Sequence, residues 1–265
     1  MALKDVTLGQ YVPCGSPVHR TEARVKLLLG IAFSIVLFVV DEWQGYGVLA
    51  AYVAAAMALT GLPVGFVVRG LRPILWLVAL TVAFHALLTP GTPVVGLGPV
   101  QVTAEGLETG GRLAARLVLL AAGVSLVTLT TSPVAMTDAL EWLLAPGRRV
   151  GVPNQEIALM MSIALRFIPT LAGELDRIMK AQKARGADFE TGGPIRRVRS
   201  LVPVLVPLFM SAFRRADGLA LALESRCWRG SAGRSRWRTR RLRAADWAVL
   251  VGSLTLFAVV GWRFR

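Results

Sequence analysis

Two arginines in similar settings are the residues of this chain best suited to binding a partner. Each is the centre of a short triplet, Ala184-Arg185-Gly186 or Ser225-Arg226-Cys227. A guanidinium group stays charged at physiological pH and offers five N–H donors to carboxylates or carbonyl oxygens. An arginine at a helix C-terminus also interacts favourably with the helix dipole. For each arginine, docking on a partner and ordinary stabilisation of its own helix end both stay open.

The sequence contains no recognisable catalytic or cofactor-binding motif. A phosphate-binding loop of the Gly-x-x-x-x-Gly-Lys-Ser/Thr type does not occur, and the chain has only four lysines. Its two cysteines, Cys14 and Cys227, are far apart, and no His, Cys or Asp cluster has metal-ligand spacing. We therefore expect no cofactor, no bound metal and no enzymatic activity.

The composition is that of a membrane protein. Hydrophobic residues make up 54% of the 265 residues, and the mean hydropathy is +0.58, whereas soluble domains contain about 45–50% apolar residues. The net charge of +14 is also compatible with nucleic-acid binding. However, apolar blocks alternate with basic blocks, which is typical of membrane helices joined by cytoplasmic loops. The sequence therefore predicts an all-α integral membrane protein without a nucleic-acid partner.

Five segments are apolar enough to predict transmembrane helices. They are Val25 to Val40, Tyr46 to Val68, Ile74 to Leu88, Leu113 to Leu129 and Trp247 to Trp262. The stretch Pro90 to Gln101 is rich in Gly and Pro and is predicted to be a loop. Lys and Arg gather before the first span and between the second and third. By the positive-inside rule, we expect a multi-pass protein of the inner (plasma) membrane with its N-terminus in the cytoplasm.

The same rule places the long segment after the fourth span in the cytoplasm. We therefore predict three regions: a membrane domain over residues 1–131, a cytoplasmic domain over 132–245 and a last span over 246–265. From Ser132 to Arg243 there are 20 Lys or Arg and 9 Asp or Glu, a net charge of +11. Apolar residues at three- and four-residue steps predict two long amphipathic helices here, Glu156 to Ala184 and Ile195 to about Arg226. A shorter helix, Pro133 to Leu144, is predicted to be capped by Ser132.

Three motifs in this segment carry a resemblance to a known family. They are Leu165-Arg166-Phe167-Ile168-Pro169, Ala181-Gln182-Lys183-Ala184-Arg185-Gly186 and Leu223-Glu224-Ser225-Arg226-Cys227-Trp228-Arg229-Gly230. Together they resemble the transmembrane T component of energy-coupling factor (ECF) transporters, the family that includes cobalt-transport membrane proteins. The resemblance is strongest from Thr130 to Gly230 and weak in the first four spans, where apolar composition carries little information.

The resemblance implies a fold and a set of partners. In this family two long crossed coupling helices dock with their tips on two ATP-binding cassette ATPase subunits. The resemblance thus implies that Arg185 and Arg226 are the docking arginines, flanked by Ala184, Gly186, Ser225 and Cys227, and that Arg166, Pro169 and Glu224 support the coupling helices. It also implies a separate substrate-binding membrane subunit, which selects a vitamin or a transition-metal ion. Ser225 and Cys227 depart from the Ala-Arg-Gly pattern of the first triplet.

Several alternatives stay open from the residues alone. A membrane enzyme acting on lipid headgroups would use arginines to hold phosphates, but the chain lacks an acid, base or metal set. A self-contained permease is disfavoured by the lack of paired carboxylates in the spans and by the size of the basic segment. Arg166 is suited either to a functional kink with Pro169 or to pairing with Glu174 or a lipid phosphate. The run Arg234 to Arg243 is suited to lipid headgroups or to a partner.

Overall fold

A computed structural model of the chain describes residues 15–61, 64–97, 100–150, 153–189, 193–228, 230 and 242–265. Its helices are α1 (Pro17–Arg20), α2 (Ala23–Val39), α3 (Trp43–Thr60), α4 (Val64–Leu88), α5 (Ala104–Thr130), α6 (Pro133–Leu144), α7 (Asn154–Ala184), α8 (Pro194–Ser225) and α9 (Ala244–Arg263). A 3-10 helix, Ala145–Val150, follows α6, and two short strands, β1 (Pro93–Leu97) and β2 (Val100–Thr103), lie between α4 and α5. Apart from this hairpin, the described chain is all-α, as predicted.

The chain divides into two compact units. In the described residues, the membrane unit comprises 15–139 and 242–265, and the arm comprises 140–230. The division therefore falls inside α6. The domain boundaries expected from the sequence, after residues 131 and 245, stay predictions.

The core of the membrane unit forms around one face of α2. Val25, Leu29, Phe33 and Leu37 are spaced by four residues, so they lie on one side of the helix, and all four are buried. They belong to one apolar cluster with residues of α3 and α9, in which the ring centroids of Phe33 and Phe257 are 5.8 Å apart. This packing fixes the positions of α2, α3 and α9 relative to one another.

Helices α4 and α5 pack closely because α5 presents glycines to α4. A Cβ atom at Gly106 would lie 2.3 Å from the carbonyl oxygen of His85, so no larger residue fits there without a shift of the backbone. Thr103 caps the start of α5 by accepting a hydrogen bond from the Gly106 N–H at 3.2 Å. His85 therefore lies at the contact between α4 and α5.

Two sequence-based predictions about the membrane unit are wrong in detail. The second span was expected to run from Tyr46 to Val68, but α3 ends at Thr60, where Gly61 takes a left-handed conformation with φ of 66°. Residues from Val64 onward begin α4. The predicted loop Pro90 to Gln101 contains most of an antiparallel hairpin, in which Gly96 pairs with Gln101. Periodicity alone did not reveal either feature, because glycine turns and two-residue hairpins are set by backbone conformation.

Three helices in the described part of the chain have the length and composition of a membrane span: Ala104–Thr130, Gln155–Ala184 and Ala244–Arg263. Ile74–Leu88 is a shorter apolar helix. The first and third of the long helices contain the fourth and fifth predicted spans, so the prediction of an α-helical membrane protein is confirmed. Gln155–Ala184 meets the same criterion although it was expected outside the membrane. The number of spans and the side of each loop therefore stay predictions.

Candidate docking site at the ends of two helices

The first candidate arginine lies at the end of α7. Arg185 is the last residue with nearly helical backbone angles, and Gly186 follows in the left-handed region with φ of 87°. The Gly186 N–H donates to the Lys183 carbonyl at 3.0 Å, and the Ala187 N–H donates to the Gln182 carbonyl at 2.9 Å. This pair of bonds is the Schellman motif, which satisfies carbonyls that have no donor within the helix.

The end of α8 has the same backbone structure. Arg226 holds the position of Arg185, and Cys227 holds the position of Gly186, with φ of 55°. The Cys227 N–H donates to the Glu224 carbonyl at 2.8 Å, and the Trp228 N–H donates to the Leu223 carbonyl at 3.0 Å. The second triplet therefore departs from the first in residue type but not in conformation. A left-handed backbone is unfavourable for a residue with a side chain, by roughly 1–2 kcal/mol.

Both arginines are exposed, as are the residues beside them: Ala184, Gly186, Ser225 and Cys227. Ser225 is satisfied within its own helix, since its hydroxyl donates to the Ala222 carbonyl at 3.0 Å. Neither guanidinium group forms a hydrogen bond or ion pair with another described residue. Each capped end thus presents one exposed, charged arginine side chain.

The three residues expected to support the coupling helices, Arg166, Pro169 and Glu224, are also exposed. Glu224 contributes through its backbone, because its carbonyl accepts the Cys227 N–H of the cap. Pro169 lies inside α7 and has no N–H to donate to the carbonyl four residues earlier. The ion pair of Glu174 is formed with Arg215 of α8, at 3.4 Å between Oε2 and Nη2, and not with Arg166 as one alternative proposed.

A residue that the sequence did not single out joins the two helices near the tip of α7. Gln182 donates from Nε2 to the carbonyl oxygen of Pro203 in α8, at 3.4 Å. Pro207 explains why this carbonyl is available: it lacks an N–H, so the carbonyl four residues before it has no helical donor. Two prolines four residues apart inside a predicted helix are a signal of a free carbonyl on the helix surface.

Metal-site chemistry is not evident in the part of the chain that the structure covers, where no group of three or more His, Cys, Asp or Glu side chains is placed to hold an ion. Cys227 is a free thiol. Three features predicted from the sequence lie outside the described residues: Cys14, Arg229, and most of the basic run, residues 234–241.

Fold and site together define an α-helical membrane protein with an arm that ends in two exposed, identically capped arginines. The sequence matches the cobalt transport protein family over residues 15–237. It is 49% identical over 251 residues to the energy-coupling factor transporter transmembrane protein EcfT of Thermosediminibacter oceani, with 95% of each chain covered. It is 49% identical over 258 residues to EcfT of Heliobacterium modesticaldum, with 97% of each chain covered, and 42% identical over 261 residues to EcfT of Listeria innocua, with 98% covered. The chain belongs to this family of ECF transporter transmembrane proteins, which confirms the resemblance found in its motifs. It is thus a non-catalytic membrane component of a transporter.

Proposed function

We propose that this chain is the coupling subunit of an ECF-type ABC transporter, transmitting ATP-driven motion from two ATPase subunits to a substrate-binding membrane partner. The observation that carries the proposal is the pair of matching helix ends. Arg185 and Arg226 occupy the same position in the same backbone motif, and both side chains are exposed without a partner among the described residues. Two equivalent tips suit two equivalent sites on a pair of ATPase subunits.

The helices behind the tips are long enough to act as levers. α7 has 31 residues and α8 has 32, so each extends over roughly 46–48 Å at 1.5 Å per residue. Contacts between them, from Gln182 to Pro203 and from Glu174 to Arg215, favour movement of the two helices as one body. When nucleotide binding brings the ATPase subunits together, both tips would move. The arm would then transmit this motion to the substrate-binding membrane partner.

The apolar face of α8 suits the substrate-binding membrane partner. Six residues at steps of three or four positions lie within a narrow sector of the helix and are at least half exposed: Ile195, Val198, Val202, Val206, Phe209 and Phe213. An exposed apolar stripe of this length indicates an interaction surface. It has no group that would recognise a polar nutrient, so the choice of vitamin or transition-metal ion falls to the partner, and the transported micronutrient stays open.

The proposed orientation places the N-terminus and the arm in the cytoplasm, with the chain in the inner (plasma) membrane. The support is the distribution of charge, because the basic residues of the arm would otherwise lie on the side of the membrane that is poor in Lys and Arg. ATPase subunits that use cytoplasmic ATP must meet the arm on that side.

The docking role is tested with the double variant Arg185→Ala and Arg226→Ala. Truncating one partner of a buried, hydrogen-bonded charge pair costs about 2–5 kcal/mol, so each single variant should weaken association with the ATPase subunits and the double variant should abolish coupled transport. Co-purification in mild detergent over a salt series measures the association. Arg177 and Arg199 are exposed arginines of α7 and α8 away from the tips, so Arg177→Ala with Arg199→Ala is the matched control.

The control pair should retain the ATPase subunits at wild-type yield. If the tip variant also retained them at wild-type yield and salt resistance, the docking assignment would be wrong. Membrane insertion of the tip variant should be normal, because neither arginine lies in the membrane unit.

A further inference from the structure

The membrane unit contains a cavity of about 800 Å³. Helices α2, α3, α5 and α9 form its walls, and the short helix α1 lines it as well. This volume lies within the range of about 300–1,000 Å³ that is usual for ligand sites. The docking function described above makes no use of the cavity.

The cavity is confined to one half of the membrane unit. Its α2 wall runs only from Lys26 to Ser34, its α3 wall from Tyr52 to Leu59, and its α9 wall from Arg243 to Ser253. α2 and α9 contribute their first turns, whereas α3 and α5 contribute their last turns. The eight residue steps from Lys26 to Ser34 of α2 correspond to about 12 Å, and half of a bilayer's hydrocarbon core is about 15 Å thick. The depth of the cavity therefore matches one leaflet.

The mouth of the cavity is positively charged. Arg20, Lys26 and Arg243 line it, with Asp246 as the acidic group among the described lining residues. The Asp246 carboxylate is engaged by backbone donors, since it accepts the N–H of Arg243 at 2.9 Å and the N–H of Glu22 at 3.2 Å. An anion is therefore favoured at the mouth by charge complementarity.

Lys26 is the basic residue at the mouth with which an anion would form its closest contact. Its side chain is 6% exposed, and its Nζ donates to the Thr130 carbonyl at 2.8 Å. An ammonium group has three N–H donors, and Thr130 supplies one acceptor, so two donors are without an acceptor among the described residues. A buried charge without full pairing is strongly unfavourable. An anionic oxygen next to Nζ would satisfy it.

Deeper in the cavity the wall is mostly apolar. The polar groups there already have partners within the protein: the Tyr52 hydroxyl donates to Ser253 Oγ at 3.1 Å, and the Ser34 hydroxyl donates to the Gly30 carbonyl at 2.8 Å. The remaining wall is apolar, with Leu29, Phe33 and Val127 among its residues. Leu59 and Val124 at its edge are more than half exposed, so the cavity opens sideways.

We propose that this cavity binds one anionic phospholipid from the leaflet on the side where α2 and α9 begin. Its phosphate lies among Arg20, Lys26 and Arg243, and an acyl chain fills the apolar part. Hydrocarbon suits a wall whose polar groups are satisfied, and the lateral opening gives access from the bilayer. Asp246 acts on Lys26 as a counter-charge, but its two carboxylate oxygens accept the backbone N–H groups of Glu22 and Arg243. The headgroup therefore supplies an oxygen acceptor for the remaining Lys26 donors. The proposal does not depend on the docking role of the arm.

The test is native mass spectrometry of the delipidated, full-length chain with phosphatidylglycerol or phosphatidylcholine added. The wild type should retain one phosphatidylglycerol in clear preference to phosphatidylcholine. The double variant Arg20→Gln and Arg243→Gln, and separately Lys26→Met, should lower this preference by about fivefold for each basic side chain removed. Arg265→Gln removes an arginine that does not line the cavity and should leave the preference unchanged.

Gly252→Leu tests the cavity without changing any charge. A Cβ atom at Gly252 meets nothing within 4 Å, so the longer side chain can enter the space without displacing the backbone. This variant should lose the bound lipid, whereas Gly47→Leu, at an equally open glycine of α3 outside the cavity, should bind like the wild type. Equal retention of both lipids by the wild type, or unchanged retention by Gly252→Leu, would overturn the proposal. A cysteine at Gly252 that cross-links to a polypeptide of the assembled complex in place of lipid would overturn it too.

Discussion

Gly186 and Cys227 are structurally equivalent residues. Each follows a capping arginine, each has a positive φ, of 87° and 55° respectively, and each donates its N–H to the carbonyl three residues earlier, at 3.0 Å and 2.8 Å. Only glycine adopts this conformation without a steric penalty. The end of α8 therefore keeps the capped shape of α7 at some expense in local stability.

Substitution at the two positions should consequently affect the stability of the arm differently. Gly186→Ala should lower the stability of the arm by about 1 kcal/mol, because it places a Cβ in the left-handed region. Cys227→Gly should leave stability unchanged or raise it by less than about 1 kcal/mol, since the relief of strain is partly offset by the greater freedom of glycine in the unfolded chain. Thermal unfolding of the detergent-purified chain measures both.

Gly173 provides the control within the same helix. It lies inside α7, a Cβ there meets nothing within 4 Å, and Gly173→Ala should raise the unfolding temperature through helix propensity. A fall in unfolding temperature for Cys227→Gly that matched the fall for Gly186→Ala would show that the two positions are not equivalent.

Arg116 of α5 should be a stabilising residue of the membrane unit. Its Nη2 donates to the Tyr46 hydroxyl at 2.9 Å and to the Val40 carbonyl at 3.2 Å. Tyr46 donates in turn to the same Val40 carbonyl at 2.8 Å. Since hydrogen bonds to charged groups contribute about 1.5–3 kcal/mol, Arg116→Met should lower the unfolding temperature clearly.

Arg112 is the matched control for Arg116, one turn earlier on the same helix. It pairs with Glu108, and the two side chains are 39% and 52% exposed, so Arg112→Met should change stability by less than about 1 kcal/mol. A double-mutant cycle of Arg116→Met with Tyr46→Phe should show coupling. Strict additivity of the two effects would contradict the shared network.

The apolar face of α8 should bind the substrate-binding partner and not the ATPase subunits. Phe209→Glu places a charge on this face and should reduce co-purification of the membrane partner, because a carboxylate would be buried there without a counter-charge. Phe209→Leu keeps the face apolar and should retain the partner. The ATPase subunits should stay bound in both variants, and their loss from Phe209→Glu alone would assign the face to them.

Cysteine labelling should decide the topology, which composition leaves open for α7. After Cys14 and Cys227 are replaced, cysteines placed singly at Gln155 and Lys183 should both be protected from an impermeant reagent in intact cells and react in inverted vesicles. A cysteine appended after Arg265 should behave in the reverse way, because Arg234 to Arg243 outweighs Arg263 and Arg265 in the positive-inside balance. Opposite labelling of Gln155 and Lys183 would mean that α7 crosses the membrane.

Much of the candidate site could be predicted from the sequence because its determinants are local. The three-and-four periodicity of α7 and α8, the glycine after Arg185 and the Ser132 cap of α6 act within one or two turns. The structure shows α7 ending at Ala184, α8 ending at Ser225, and the Ser132 hydroxyl accepting the Ala135 N–H at 3.3 Å. Cys227 is the local feature that the sequence did not predict. A cysteine rarely adopts a left-handed backbone, yet Cys227 does so here, and the Trp228 N–H completes the cap by donating to the Leu223 carbonyl.

Only the tertiary structure decided which distant groups meet. Lys26 lies within α2 and reaches the carbonyl of Thr130, Arg116 reaches the turn after α2, and Gln182 reaches Pro203. Each partner lies in another helix or next to its end, and its position depends on how the helices are rotated and offset against each other. An apolar helix of the membrane unit carries little sequence information about that rotation, because apolar side chains occur on nearly all of its faces. The sequence therefore determined the helices, the basic charge and the arginine tips, while packing determined the buried polar contacts and the cavity between α2, α3, α5 and α9.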